Sequence, residues 1–159
     1  MVRRELLDPR SCCTQYENAR KLVVRIYHLL NAGSDCAEPL AELNSLSQKR
    51  LCVSQIEDAA ELIDPETFAY EVLADLIPTP TDLTHAEMLE LVEKLLADAS
   101  QDSIQHGHWS RCLEANTGDR RLSLLLQSPE LYFRDGVSRK LTAQEILDIA
   151  LAAGGKSTR

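Results

Sequence analysis

The chain has 159 residues and a net charge of −8, and its content of 44% hydrophobic and 26% charged residues is typical of a folded globular protein. Aromatic residues make up only 4% of the chain, so an RNA-binding surface that stacks bases on aromatic rings is not expected. The negative charge also disfavours nucleic-acid backbones and anionic membranes as partners.

Helical spacing and capping signals run through the first half of the chain. Apolar residues recur at three- and four-residue intervals in the first helix, and Gly33 is expected to end it. Ser54 and Glu57 have the spacing of a capping box. Asp64 is an expected N-cap, with Pro65 at the first helical position. The helices predicted in this half span residues 16–30, 39–46, 54–62 and 64–76.

Pro78 and Pro80 mark a break, because neither residue continues a helix and each restrains the residue before it. A junction between subdomains is therefore expected near residues 77–82. Beyond it, capping-box spacing recurs at Thr84 and Thr142. The helices predicted in this half span residues 84–97, 102–116 and 142–151.

Residues 122–133 depart from this regular pattern. An apolar run ends at Pro129, and a second apolar run follows it. Two short strands joined by a turn fit this segment, and so does one turn of helix followed by an extended stretch, because periodicity does not separate them over so few residues. We expect a minor β-hairpin at most. The sequence therefore predicts an all-α fold, a single-domain bundle of about six or seven helices over residues 1–159.

The negative charge is concentrated in the middle of the chain. Residues 31–100 carry fifteen acidic against three basic side chains, whereas the segments before and after them are weakly positive. An acidic surface formed by this segment would suit a basic protein partner. A solvated face that keeps the protein soluble is the alternative interpretation.

No cysteine pattern or apolar segment points to secretion or to a membrane. The five cysteines form neither a recurring disulfide framework nor a C-x-x-C motif, so we expect reduced thiols. No apolar region of a signal peptide follows directly on residues 1–10, and the longest apolar runs are too short to span a bilayer. A soluble, cytoplasmic protein is expected.

Histidines and acid pairs are the candidates for chemistry. His106, His108 and Cys112 invite a zinc interpretation, but a His-x-His pair on a helix directs its two rings apart, and no second pair of ligands is clustered near it. Acid pairs one turn apart, such as Glu57 and Glu61, are expected on the solvent face of acidic helices. No nucleophile lies in a turn with glycine on both sides. We expect neither catalysis nor a cofactor.

Three segments of the second half carry a family resemblance: LTHAEMLELV at 83–92, SLLLQSP at 123–129 and TAQEIL at 142–147. They resemble the first, third and last helices of colicin-type bacterial immunity proteins, which are small, acidic four-helix proteins that bind and silence a nuclease toxin. The resemblance covers residues 83–151, and residues 130–140 look like an insertion. The first half more loosely resembles longer immunity-type proteins from bacterial toxin loci.

The resemblance implies where a toxin would be contacted. The family's short third helix carries Ser-Asp-Leu-Ile-Tyr-Tyr-Pro. Leu124 stands in place of its aspartate, and Gln127 and Ser128 stand in place of the two tyrosines that grip the toxin. Glu114 lies on the preceding helix, where the family keeps the acids that give specificity.

The sequence thus predicts a non-catalytic inhibitor that binds and neutralises a cognate, basic toxin, an immunity protein steered to its partner by its acidic segment. The expected partner-binding residues are Glu61, Glu66, Glu71, Asp75, Glu114, Leu124, Gln127 and Ser128. The alternative is a helical adaptor or regulatory domain without a toxin partner, which would present a concave or apolar groove. A small enzyme or metal protein comes third and would require His106, His108 and Cys112 to converge with a fourth ligand.

Overall fold

The computed structural model describes residues 3, 8–97 and 102–155, and these residues are all-helical, with no strand among them. The predicted single helical domain consists of two compact units. One unit spans Pro9–Pro78, and the other joins Thr79–Arg159 to Met1–Asp8. The boundary between Pro78 and Thr79 lies inside the predicted junction. Residues 1, 2 and 4–7, at the start of the segment considered for a signal peptide, lie outside the described residues.

The N-terminal unit packs its helices on its longest one. Its elements are a 3-10 turn at Pro9–Cys12, α1 at Tyr16–Asn31, α2 at Ala37–Ser47, α3 at Val53–Leu62, α4 at Pro65–Leu73 and a 3-10 turn at Ala74–Leu76. Helix α1 buries Ala19, Val23 and Ile26, a spacing that keeps one face of the helix apolar. Against this face pack α2, α3 and α4. Gly33, with φ of +67°, follows the end of α1 as predicted.

The C-terminal unit is built around aliphatic side chains. Its helices are α5 at His85–Ala97, α6 at Ser103–Thr117, α7 at Leu122–Gln127, α8 at Pro129–Phe133 and α9 at Ala143–Ala153. Leu91, Leu113, Leu125 and Leu147 have no exposed surface, and the ring of Trp109 is buried beside them. The low aromatic content of the sequence therefore leads to a mainly aliphatic core.

Residues 122–133 form neither of the two conformations left open by the sequence, a minor β-hairpin at most or one turn of helix followed by an extended stretch. The segment forms α7 and α8, so the described residues contain nine α-helices rather than six or seven. Leu122 and Leu125 are fully buried at three-residue spacing, which is helical rather than extended. Pro129 occupies the first position of α8, where a missing N–H leaves no helical hydrogen bond unmade. Packing of α7 on the core decides the conformation, and the short apolar run alone does not reveal it.

Capping signals locate most helix starts correctly. The carboxylate of Asp64 accepts a hydrogen bond from the backbone N–H of Thr67, and Thr142 caps α9 as expected. Helix α3 differs from its prediction, because Cys52 is its N-cap residue and donates its backbone N–H to the side chain of Gln55. None of the helices in the described ranges is long and apolar enough to cross a membrane.

Candidate functional site

Acidic side chains dominate two helices of the N-terminal unit. Between Cys52 and Pro78 the sequence holds seven acidic residues and no Lys or Arg. All seven are exposed. Six of them lie on α3, α4 and the 3-10 turn after α4, and we call this set the acidic surface: Glu57, Asp58, Glu61, Glu66, Glu71 and Asp75. The seventh, Asp64, is used as the N-cap of α4.

Helix α3 buries little of its surface against the rest of the N-terminal unit. Ile56 is its only buried residue, and Glu57 and Glu61 lie one turn apart on its exposed side. Leu62, the last residue of α3, is 84% exposed, the highest value among the large hydrophobic residues that the structure describes. Leu62 therefore has no part in the core of this unit, and its side chain is accessible beside the carboxylates.

Two tyrosines of α1 fix the start of α4. The Tyr27 hydroxyl donates to the carbonyl oxygen of Ile63 at 3.3 Å, and the Tyr16 hydroxyl donates to the carbonyl oxygen of Glu66 at 3.2 Å. The ring of Tyr27 also contacts that of Phe68, with ring centroids 6.1 Å apart. These contacts hold the connection between α3 and α4, and with it the carboxylates on both helices, in a defined position.

The local electrostatics follow from these contacts. Burial raises the pKa of Tyr27 to about 12, and the nearby carboxylates of Asp64 and Glu71 act in the same direction. The backbone N–H of Thr67, which donates to the carboxylate of Asp64, lowers the pKa of that residue. Lys49 forms an ion pair with Asp75, with Nζ 2.6 Å from Oδ2. The charge of Asp75 is therefore locally compensated by a basic side chain.

The predicted partner-binding residues fall into two groups, one on each unit. Glu61, Glu66, Glu71 and Asp75 all belong to the acidic surface of the N-terminal unit. The other four, all in the C-terminal unit, are Glu114, Leu124, Gln127 and Ser128.

The second group differs in exposure. Glu114 is half-buried and accepts a hydrogen bond from the hydroxyl of Ser123 at 3.1 Å. Leu124 packs partly against the core, Gln127 is exposed, and Ser128 lies between α7 and α8. Gln127 is thus the most accessible of these four side chains.

The histidines and cysteine of the zinc interpretation lie mostly inside α6. His108 and Cys112 are buried one turn apart, with Nε2 3.7 Å from Sγ, and burial raises the pKa of the Cys112 thiol to about 11. His106 is half-buried, and His85 is exposed beside Gln144. Within residues 8–97 and 102–155, no group of three or more His, Cys, Asp or Glu side chains is arranged to hold a metal ion.

Two features of the site are missing from the sequence prediction. Glu57 and Asp58 extend the acidic surface, and the signal for them is the complete lack of Lys and Arg between residues 51 and 78. Leu62 carries no such signal, because helical spacing alone predicts a buried residue there.

Comparison with protein-family models, with curated proteins and with solved structures found no match to this chain.

Proposed function

We propose that this protein acts by binding a basic protein through the acidic surface of its N-terminal unit. The observation that carries the proposal is the segregation of charge: α3, α4 and the 3-10 turn after α4 present six exposed carboxylates, and no Lys or Arg interrupts them between residues 51 and 78. A surface whose charges have one sign attracts a partner of opposite charge over about one Debye length, roughly 10 Å at 0.1 M salt.

Each part of the surface has a role in this proposal. Carboxylates such as Glu61 and Glu71 would pair with Lys and Arg side chains of the partner and steer its approach. Leu62 would supply the apolar contact at the centre of the interface, where desolvation contributes most to affinity. The hydrogen bonds of Tyr16 and Tyr27 hold the backbone in place before binding, which limits the entropy lost on association.

More specifically, we propose that the chain is an immunity protein that neutralises a cognate toxin in the cytoplasm. Inhibition by binding requires a stable scaffold and a complementary surface and no catalytic group. The resemblance of residues 83–151 to colicin-type immunity proteins supports this form. It adds Glu114, Leu124, Gln127 and Ser128 as contacts on the C-terminal unit, with Gln127 the most accessible of them.

A helical adaptor without a toxin partner is the second candidate, and one observation favours it. A surface cleft of about 480 Å³ lies between α1 and α2. Its lining combines two leucines with polar and charged side chains, namely Asn18, Lys21, Leu22, Glu42, Ser45 and Leu46. Such a groove would suit a peptide segment of a partner.

The experiment is a capture assay with the full chain as bait at about 0.1 M and about 1 M NaCl, where the Debye length falls from about 10 Å to about 3 Å. The matched baits are the wild type, Glu61→Lys/Glu71→Lys, and the control Glu93→Lys/Asp148→Lys, which makes the same charge change on exposed residues of the C-terminal unit. Captured proteins are identified by mass spectrometry, and their toxic activity is assayed with and without an equal amount of the chain.

The proposal predicts a partner with a basic domain that is retained by the wild type and the control, lost by Glu61→Lys/Glu71→Lys and lost at high salt. Suppression of that partner's toxicity would support the immunity form. Equal capture by all three baits would contradict the role of the acidic surface. A fourth bait, Leu22→Ser/Leu46→Ser, tests the cleft, and capture that is lost only with this bait would favour the adaptor.

A further inference from the structure

Exposed hydrophobic residues cluster in one short stretch of the C-terminal unit. Seven large hydrophobic side chains are exposed in the part of the chain that the structure describes. Three of them lie within seven consecutive residues: Leu131 is 60% exposed, Phe133 is 38% exposed and Val137 is 52% exposed. Single exposed hydrophobic residues are ordinary, but a cluster of three needs an explanation.

Helix α8, which carries the first two of these residues, is firmly held. The buried hydroxyl of Tyr132 donates to Oδ2 of Asp119 at 2.7 Å. Arg121 donates to the carbonyl oxygen of Tyr132 at 2.5 Å, and its guanidinium lies 4.5 Å from the centre of the Tyr132 ring. The ring of Phe133 packs edge-on against that of Tyr132, with centroids 5.2 Å apart. These contacts hold α8 in place, so Leu131 and Phe133 are exposed on a helix with a fixed position.

The loop after α8 folds back over Phe133. The guanidinium of Arg139 lies 4.4 Å from the centre of the Phe133 ring and forms an ion pair with Asp135. The backbone N–H of Val137 donates to the carboxylate of Asp135 at 3.0 Å. These contacts organise residues 133–139 before any partner arrives, so little ordering entropy is lost on binding.

The segment that carries these hydrophobic residues has a net positive charge, also when Glu130 of α8 is included. Residues 131–140 hold three basic side chains and one acidic side chain, and the acidic one, Asp135, is paired with Arg139. Arg134 and Lys140 are exposed at the two ends of the loop. We call this set the basic apolar patch: Leu131, Phe133, Arg134, Val137, Arg139 and Lys140.

We propose that the basic apolar patch is a docking site for an acidic segment of a partner protein, one in which apolar side chains alternate with carboxylates. The positive charge of Arg134 and Lys140 selects carboxylates, and Leu131 and Val137 provide the apolar contact. A short acidic segment meets only the local positive field, since charges beyond a Debye length are screened. An extended nucleic acid or an anionic bilayer would also meet the repulsion of a chain with net charge −8. This inference does not depend on the acidic surface.

The test measures binding of the full chain to defined polymers by fluorescence anisotropy at about 0.1 M salt. The probes are a labelled random copolymer of glutamate and tyrosine, poly-glutamate of the same length, single-stranded DNA, and vesicles containing phosphatidylglycerol. We expect the copolymer to bind about tenfold more tightly than poly-glutamate, since the apolar contacts add to the charge. We expect DNA and vesicles to bind more weakly than the copolymer.

Substitutions test whether the basic apolar patch is responsible for binding of the copolymer. Arg134→Glu/Lys140→Glu should weaken copolymer binding about tenfold, and Leu131→Ser/Val137→Ser should abolish the preference for the copolymer over poly-glutamate. The matched control is Arg25→Glu/Arg50→Glu, which makes the same charge change on exposed residues of the N-terminal unit and should bind like the wild type.

Three results would overturn the proposal. One is equal binding of the copolymer and poly-glutamate, and another is an equal loss of binding in the control. The third is tighter binding of DNA or vesicles, which would make the patch a general polyanion site. The variants of the basic apolar patch and the acidic-surface variant Glu61→Lys/Glu71→Lys change different residues. A negative result for the patch therefore leaves the proposed function untouched, and a negative result for the acidic surface leaves the patch untouched.

Discussion

The hydroxyl of Tyr27 holds the connection between the two acidic helices, α3 and α4, through one hydrogen bond. It donates to the carbonyl oxygen of Ile63 at the point where α3 ends, and its burial raises the pKa of the phenol to about 12. Because the folded protein favours the neutral phenol, this group stabilises the fold fully below pH 10, the ordinary pKa of tyrosine. The stabilisation is lost as the pH rises from about 10 to about 12.

We therefore predict that Tyr27→Phe lowers the free energy of unfolding by about 1 kcal/mol at neutral pH, through the lost hydrogen bond. The difference between wild type and variant should shrink between about pH 10 and about pH 12, because only the wild type has a phenol at position 27, whereas the other tyrosines are common to both proteins. Urea unfolding followed by circular dichroism across this range measures both quantities. A difference that stays constant with pH would contradict the assigned environment of Tyr27.

Asn116 plays a comparable role in the C-terminal unit. Its side-chain oxygen accepts the backbone N–H of Leu83 at 3.0 Å, and its amide nitrogen donates to the carbonyl oxygens of Pro80 and Cys112, both at 2.7 Å. Asn116→Leu leaves these buried groups without their partner, and we expect it to destabilise the unit by about 2–4 kcal/mol. Trp109 fluorescence during urea unfolding tests this, since Trp109 is the only tryptophan and lies in this unit. A loss below about 1 kcal/mol would contradict the role given to the amide.

At the scale of elements, the end of α9 approaches the end of α6 closely. A Cβ atom added at Gly154 would lie 1.7 Å from the carbonyl oxygen of Thr117, a backbone atom that cannot move away without displacing α6. We predict that Gly154→Ala destabilises the C-terminal unit by about 3 kcal/mol or more. Gly107→Ala is the matched control, because nothing lies within 4 Å of its added Cβ inside α6. It should stabilise the unit by about 0.5–1 kcal/mol. Trp109 fluorescence reports both, and destabilisation of equal size by the two variants would contradict this packing.

The N-cap of α4 supports the acidic surface. Asp64 accepts the backbone N–H of Thr67 at 2.8 Å, so Asp64→Ala should cost about 1 kcal/mol of stability. Asp58→Ala removes an exposed acid from the middle of α3 and should change stability by less than about 0.5 kcal/mol. Thermal unfolding of both variants followed by circular dichroism measures the contrast. Equal effects would contradict the capping role.

Helix starts and ends were largely predictable because they depend on local chemistry. Asp64 and Thr142 satisfy backbone N–H groups within three residues of themselves, and Gly33 adopts a positive φ that favours glycine. The conformation of residues 122–133 was not predictable in this way. It depends on burial of Leu122 and Leu125 against helices distant in sequence, which no short window of sequence contains.

At the scale of the whole molecule, charge is segregated along the chain. The acids of the proposed site follow from composition, since the bias toward Asp and Glu over residues 31–100 is strong enough to see without a structure. The exposed apolar residues Leu62, Leu131 and Val137 could not be predicted, because a hydrophobic residue in a helical or apolar run is ordinarily assigned to the core. Exposure is decided by which neighbours pack around a residue, and that is a property of the tertiary structure.

We propose that the acidic surface drives binding of a basic partner, and the rate of association reports this directly. The quantity to measure is the association rate constant of the captured partner with the wild type and with Glu61→Lys/Glu71→Lys, by stopped flow from about 10 mM to about 0.5 M salt. We predict that the wild-type rate is at least tenfold faster at low salt, falls steeply with ionic strength and converges with that of the variant at high salt. Equal rates and equal salt dependence for the two proteins would contradict it.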